Sequence, residues 1–376
     1  MRRAPWPNLE FRTRGNVELM CVYTGAMKLP SKLLEAIERL TEAVSTQRLR
    51  FAAAALTDRY KTATQVAAIR SEDERLAYLL VRMPATYAAL VQALRTAKRQ
   101  FMPRSGNDPM SDNDSVSDNG VTMETMLDLG SGPGTAAWAA VELFPYVRQL
   151  RLVERDSGLI GLGRQLCATS DSPALRQAEW IHSDLNGKFA EGAFDLVVAS
   201  YSLGELSAAQ RSLCLRQAWQ RTRKLLVLVE PGTRAGFGCV HQARSELIAL
   251  GATLLAPCPH RLACPMAAAG DWCHFAARVE RTAMHRRIKG GELGHEDEKF
   301  SYLAATPLKA NPAEQRIVRH PVYHSGFVEL QLCSADGIGK RMIGKSKKTE
   351  YRAARRAAWG DSWPAHTPQE GHPADS

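Results

Sequence analysis

Long apolar runs are missing from this 376-residue chain. No stretch approaches the roughly 20 consecutive apolar residues that cross a bilayer, so neither a spanning helix nor a membrane partner is expected. The start, Met1-Arg2-Arg3, is basic, but Trp6 to Asn16 is polar and no sustained apolar segment follows, so it does not read as a secretory signal. Arg2, Arg3, Arg12 and Arg14 against Glu10 and Glu18 would be compatible with a mitochondrial leader. Cysteine is scarce, eight residues unevenly spaced, and with no export signal a disulfide framework is not expected. A reducing compartment follows: a bacterial cytoplasm, or the mitochondrial matrix if the chain is eukaryotic. Acidic residues are outnumbered, and the net charge of +10 points to an anionic partner, nucleic acid first. There is no internal repeat.

What is present divides the chain into unlike stretches. Residues 1–27 read as a disordered leader, with Met27 as an alternative start. Residues 28–104 read as a helical N-terminal domain. Ser31 precedes an apolar stripe at Leu33, Leu34, Ile37 and Leu40, and Ser71-Glu-Asp-Glu74 forms a capping box ahead of Leu76, Leu79, Leu80 and Met83. Pro84 should break or kink that helix before Tyr87 to Leu94 resumes the pattern. A Ser/Asp/Asn/Gly-rich linker, 105–120, leads to an α/β region over 121–255. There, short apolar runs (126–129, 150–153, 180–183, 194–199 and 225–229) alternate with helix-compatible segments, as in a parallel sheet covered on both faces. Residues 256–361 hold a cysteine cluster and a basic lobe. Within it Phe327–Cys333 alternates as a strand, Asp336-Gly337 turns the chain back, and 349–359 reads as a basic helix. Residues 362–376 read as a disordered tail, and a monomer is expected.

The first apolar run enters Asp128-Leu-Gly130-Ser131-Gly132-Pro-Gly134. Glycines let a backbone turn tightly and approach a ligand, and the helix that follows offers unpaired donors. A dinucleotide fingerprint would space its glycines Gly-x-Gly-x-x-Gly. Here the third comes one residue early and an acid precedes the loop, which suits S-adenosylmethionine better. Glu154, closing the second strand, is placed to accept from ribose hydroxyls, and Asp184, after the third, from the adenine amine. Acids at three successive strand ends favour a cofactor over a plain tight turn whose acids cap helices. The fourth strand ends Ala199-Ser200-Tyr201-Ser202, and Ser200 and Tyr201 join the cofactor-binding set. The Asn/Asp-Pro-Pro-Tyr/Phe of many amino-methyltransferases is absent there. Tyr201 either stacks on a base or packs, and no catalytic residue is named.

Cys258-Pro-His, Cys264-Pro and Asp271-Trp-Cys273-His place three thiols within sixteen residues, and Cys333 lies further on. Thiolates are the preferred ligands of zinc and iron–sulfur centres, and proline after Cys258 and Cys264 stiffens the loops. The gaps are too open for the Cys-x2–4-Cys knuckles of structural zinc. No Cys-x3-Cys-x2-Cys of the radical type is present. Cys-Pro recurs in ferredoxin loops, so a four-cysteine [4Fe–4S] centre is the first choice. Zinc on three cysteines plus His260 or His274 is the second, and Cys333 is preferred over either histidine. Cys21, Cys167, Cys214 and Cys239 read as small buried hydrophobes. Lys340, Arg341, Lys345, Lys347, Lys348, Arg352, Arg355 and Arg356, with Tyr351 and Trp359 nearby, suit phosphate contacts with base stacking. A second basic group, Arg278, Arg281, Arg286, Arg287 and Lys289, follows the cysteines.

Taken together, Arg82-Met-Pro-Ala-Thr-Tyr87, Leu127-Asp-Leu-Gly-Ser-Gly-Pro-Gly134, Ala199-Ser-Tyr-Ser-Leu-Gly-Glu-Leu206 and Val229-Glu-Pro-Gly-Thr233 form a recognisable set. Ala256-Pro-Cys-Pro-His260, Asp271-Trp-Cys-His-Phe275, Asp297-Glu-Lys-Phe-Ser-Tyr-Leu303 and Trp359-Gly-Asp361 extend it. Over about residues 30–363 the chain resembles the methyltransferase-like proteins of the mitochondrial small ribosomal subunit and their bacterial relatives. The resemblance implies a seven-stranded Rossmann-like methyltransferase domain with a metal-binding C-terminal lobe. It also implies a four-cysteine iron–sulfur cluster on Cys258, Cys264, Cys273 and Cys333, and association with the maturing small subunit and its RNA. Methyl transfer to that RNA, a non-catalytic assembly role, or a zinc-containing small-molecule methyltransferase are the functions it leaves to separate.

Overall fold

A computed structural model describes residues 26–62, 69–101, 122–187 and 189–364. Cys21, the linker, and nearly all of the leader and tail lie outside them. The large sheet uses β1 (Thr125–Leu129), β2 (Gln149–Glu154), β3 (Glu179–His182), β4 (Phe194–Ser200), β5 (Thr222–Pro231), β6 (Thr253–Ala256), β7 (Phe275–Glu280) and β8 (His295–Thr306). Its order is β3-β2-β1-β4-β5-β8-β6, with β7 also on β8. The first five strands run parallel, and β8 is antiparallel to β5, β6 and β7. This is a mixed α/β, Rossmann-like sheet, with eight strands rather than the expected seven. The extra strand arises because β6 and β7 lie end to end along one edge of β8, β6 against Ala304–Thr306 and β7 against His295–Phe300.

Both faces of the central strands are covered, so they read as unbroken apolar runs. Alternation assigns each residue to one of two cores. Leu196, Val198, Leu225, Val227 and Val229 join the core that contains the N-terminal helices. Val197, Ala199, Leu226 and Leu228 join the core under helices Ala208–Gln220 and Arg234–Ala249. Helix Met83–Phe101 packs against helix Thr135–Leu143 and against β7 and β8, so residues 83–101 share the sheet's core. Helix Glu72–Val81 meets it at a 45° bend, with Pro84 in the new helix's first turn where no N–H is needed. Ser71 caps Glu74 N as expected, but the reciprocal half of the box is missing: the Glu74 carboxylate accepts from Arg70 N and pairs with Arg59. Among the described residues no single helix is long and apolar enough to cross a membrane.

A smaller sheet follows: β9 (Gln315–Ile317), β10 (Val322–Tyr323), β11 (Phe327–Ser334), β12 (Gly337–Gly344) and β13 (Ser362–Trp363). The β11–β12 hairpin turns at Ala335-Asp336, one residue before the expected Asp336-Gly337, and helix Lys348–Arg356 covers one face with Ala354. Three expectations change here. The basic helix starts and ends earlier than 349–359. Ser362 and Trp363 are strand, and Trp363 is 1% exposed, because its indole fills the small core. The stretch 256–361 is not a separate lobe, since its β7 and β8 complete the large sheet.

Candidate functional site

A cavity of about 380 Å³ opens at the carboxyl ends of β1, β2, β4 and β5, where open α/β sheets bind ligands. The glycine loop forms its floor. Gly130 has φ +71°, and a Cβ there would lie 2.5 Å from the Cβ of Ser202. Gly134, at φ +85°, caps helix Thr135–Leu143. Glu154 Oε2 accepts from Gly132 N at 2.8 Å, while Oε1 accepts from Arg155 N at 2.9 Å and Asp156 N at 2.8 Å. Gly130, Gly132, Glu154, Asp184, Ser200 and Tyr201 line the cavity. Asp128, Ser131 and Gly134, expected in the same set, do not. Asp128 is wholly buried beneath the loop with both carboxylate oxygens unpartnered, and burial, reinforced by Glu154, pushes its carboxyl up to about 8. Ser131 Oγ is buried without a partner as well.

Sequence reasoning missed the rest of the lining. Glu230, at the end of β5, accepts from Leu203 N (2.9 Å) and Gly204 N (3.2 Å), and burial pushes it up to about 7. Glu205 is pushed up to about 7 by burial, against the pull of Arg155 at 3.0 Å. The acid-at-strand-end rule that found Glu154 would have found Glu230. Tyr78, Arg82 and Thr86 close the cavity from the N-terminal helices. Tyr201 holds φ +53°, rare for a non-glycine residue, and donates its hydroxyl to Glu298 Oε1 at 3.0 Å, with Arg82 3.8 Å from the same oxygen.

The gap between β6 and β7 releases residues 257–274 from the sheet, and these carry Cys258, Cys264 and Cys273. Cys333 arrives on β11. All four thiols line one cavity of about 40 Å³, walled otherwise by mostly apolar side chains, with His241, Ser301, Tyr302, Arg244 and Arg316 among them. Arg244 Nε donates to Cys258 Sγ at 3.3 Å, Ser301 Oγ to the Cys273 carbonyl at 2.8 Å, and His260 Nε2 lies 3.7 Å from Cys333 Sγ. Burial raises the Cys273 thiol well above its usual range, with Cys258, Cys264 and Cys333 adding to it. Burial also pushes Cys333 up to about 12. Among the described residues no three His, Cys, Asp or Glu side chains converge tightly enough to hold a single metal ion. Neither histidine considered lines the cavity: His260 only approaches Cys333, and His274 stacks on Trp272. Cys167, Cys214 and Cys239 are buried as expected, Cys239 beside the larger cavity. Helix Arg234–Ala249 walls both cavities, Ala235, Gly236 and Cys239 facing the larger one and Phe237, Val240 and Arg244 the thiols.

All eight cations of the C-terminal basic group are exposed. Lys340 pairs with Glu329 at 2.8 Å, and Arg341 and Lys347 pair with Glu350 at 2.5 and 3.4 Å. Arg355 lies over the Tyr323 ring. The expected stacking aromatics are engaged elsewhere: Tyr351 packs on the small core, and Trp359 contacts Phe275, His274 and His320. In the second basic group Arg278 pairs with Asp297, and Arg281 and Lys289 with Glu296, each at 2.8 Å.

Residues 72–364 match the family described as mitochondrial small ribosomal subunit Rsm22. The human mitochondrial ribosome assembly protein METTL17 is 27% identical over 326 residues, covering 79% of this chain and 64% of that protein. The Schizosaccharomyces pombe mitochondrial Rsm22-cox11 tandem protein 2 is 26% identical over 347 residues, 78% of this chain and 43% of its own. The chain thus spans less than two thirds of either relative. Magnesium protoporphyrin IX methyltransferase from Synechocystis overlays 66% of this chain and 90% of its own at TM-score 0.36 and 11% identity, too distant to bear on function. With most of its length matched, glycine loop and cysteine segment included, the chain belongs to the Rsm22 family.

Proposed function

We propose that this chain is a methyltransferase-like protein that binds S-adenosylmethionine, carries a [4Fe–4S] cluster on Cys258, Cys264, Cys273 and Cys333, and acts on small-subunit ribosomal RNA during ribosome assembly. The observation that carries the reading is the arrival of four thiols, from segments far apart in the chain, around one cavity that shares a helix wall with an acid-lined one. Family membership supports the ribosomal partner, and the names of the relatives support the mitochondrial matrix as the compartment in a eukaryote.

The acid-lined cavity suits this cofactor for two reasons. Its volume falls within the roughly 300–1,000 Å³ of small-molecule sites. Glu154, Asp184, Glu205 and Glu230 would meet a pyrophosphate as like charges but favour a sulfonium and an ammonium. When bound, S-adenosylmethionine supplies an electrophilic methyl group. Glu154 holds the loop through three backbone N–H groups, which leaves about one of its four lone-pair sites for a ribose hydroxyl. Asp184 is exposed at the rim; its Oδ1 accepts from Asn186 N at 3.1 Å, which leaves Oδ2 to accept from an adenine amine. At the other cavity, a thiolate-held cluster supplies a covalent cross-link between the 258–273 loop and β11. Lys345, Lys348, Arg352 and Arg356 form no ion pair among the described residues and are placed for phosphate contacts.

One observation favours a second reading, an assembly factor that keeps the fold without catalysis. The Tyr201 hydroxyl, at the acceptor end, is already donated to Glu298. Protein isolated without oxygen should be brown and hold iron and sulfide, about four of each per chain. Colourless protein with zinc overturns the cluster and leaves zinc on three cysteines and His260. Incubation with labelled S-adenosylmethionine and immature small subunits separates the rest. Label in RNA supports methyl transfer, tight subunit binding without label supports the assembly factor, and no RNA binding leaves the small-molecule methyltransferase.

A further inference from the structure

Two arginines line the thiol cavity from different elements, Arg244 on helix Arg234–Ala249 and Arg316 on β9. They are 5% and 1% exposed. A guanidinium so deeply buried has lost its water, and the loss is tolerable only with opposite charge or complete hydrogen bonding. Neither arginine forms an ion pair with a carboxylate among the described residues. Arg244 gives Nε to Cys258 Sγ and Nη2 to the carbonyls of His260 (2.8 Å) and Leu262 (2.7 Å). Arg316 gives Nε to the Pro257 carbonyl (2.9 Å) and Nη1 to the Gly360 carbonyl (3.0 Å), and its Nη2 is buried with no partner. Asp361 feels the charge of Arg316, but its carboxyl is pushed up by burial and makes no ion pair with it. Two buried positive charges therefore lack a negative counterpart, beside four thiols in an apolar-walled cavity.

We infer that Arg244 and Arg316 are the fixed countercharges of a dianionic iron–sulfur tetrathiolate centre, for which the unpartnered Arg316 Nη2 would be an available donor. This rests on the cluster reading above and extends it from the ligands to the charge balance. An oxidised [4Fe–4S] centre on four cysteinates carries two negative charges, which the two guanidiniums match. Apolar walls keep the local dielectric low, so each charge acts strongly on the others. Charge and hydrogen bonds around the sulfurs set the potential of such a centre. One electron from dithionite, with no bond or proton moved, makes the centre a trianion. The cations favour that state, so removing one lowers the midpoint potential.

A purely structural role, holding the 257–262 loop by its carbonyls, is the competing account, and charge separates the two. In the full chain purified without oxygen, Arg316→Gln and Arg316→Lys are titrated with dithionite, with iron and sulfide measured alongside. Arg316→Gln should disfavour reduction at least about tenfold, 59 mV for a one-electron couple, while Arg316→Lys stays within about twofold of the wild type, roughly 18 mV. Loss of the cluster from the Gln variant alone, with the Lys variant retaining it, also supports the charge requirement. Equal behaviour of the two variants, in potential or in loss of iron, overturns it. The pair Arg244→Gln and Arg244→Lys repeats the test from the other wall. A wild type without iron and sulfide instead overturns the cluster reading.

Discussion

The two cavities on either side of helix Arg234–Ala249 are built on opposite principles. The larger one, about 380 Å³, lies at the strand ends and is lined by Glu154, Asp184, Glu205 and Glu230. The smaller, about 40 Å³, lies along the strand edge where the β8 ladder passes from β7 to β6, and its charged walls are arginines. Strand ends leave loops free to part, which suits a ligand that enters and departs. A gap in the middle of a ladder is closed by the sheet itself, which suits a centre installed once. The acids suit a cationic ligand and the arginines an anionic one, so a single helix keeps two opposite electrostatic environments apart.

The strongest way to break this contrast is Cys264→Ser. Removing one of four ligands from a site assembled from distant segments should release the metal, because such binding is coupled to folding. Loss of a structural metal falls among the exceptional destabilisations of about 4–5 kcal/mol or more. Metal analysis and thermal melting of the full chain measure both. Affinity for S-adenosylmethionine, read by calorimetry on the folded protein, should stay within a few-fold of wild type, and its collapse would mean that the cavities are not separate. The reciprocal change is Gly130→Ala. Its φ of +71° and a Cβ 2.5 Å from that of Ser202 make the residue strained in the folded state. The cost is about 1–3 kcal/mol, with cofactor affinity falling more than tenfold and iron content unchanged.

The same contrast explains how much was legible in the sequence. The central strands β4 and β5, and most of β1, could be read because strands buried on both faces are apolar runs, and the glycine loop because its geometry is local. β8 escaped because it begins His295-Glu-Asp-Glu-Lys, charges that serve Arg278, Arg281 and Tyr201 along the sheet's open end. Helix Arg234–Ala249 escaped because Gly236 and Gly238 weaken a helical reading. At Gly236 the reason is contact, since a Cβ there would sit 2.0 Å from the Pro231 carbonyl oxygen. The cysteines were visible as unusual residues, but only topology brings Cys333 to the other three. Arg244 and Arg316 gave no signal, because a lone buried arginine has no spacing to recognise.

Asp128 allows a finer test, confined to the cofactor side. Its folded carboxyl lies near 8, against an ordinary value of 3.8. Between those values the folded state holds a proton that the unfolded state has released, so stability falls as pH rises from about 4 towards 8. Asp128→Asn carries no such proton. Stability of the two proteins, followed by denaturant unfolding across that range, should therefore diverge in favour of the variant as pH increases. Parallel curves would mean that a partner for the carboxylate forms in solution. The thiol cavity should be indifferent, with the same iron content at each pH in both proteins.

The smallest effects on the fold, and the most selective on the partner, are expected from the surface cations. Lys345, Lys348, Arg352 and Arg356 stand on the small sheet's hairpin and helix without carboxylate partners among the described residues, whereas Arg278, Arg281 and Lys289 are neutralised by Asp297 and Glu296. Replacing any of the first group by alanine should change stability by no more than about 0.5 kcal/mol. For each phosphate that goes unneutralised, the slope of log affinity against log salt should fall by about 0.7–0.9, for small-subunit RNA of any sequence. Arg281→Ala should leave that slope unchanged while loosening Glu296, because its charge is already answered within the protein. A reversed pattern would move the RNA from the small sheet to the open end of β7 and β8, beside the larger cavity.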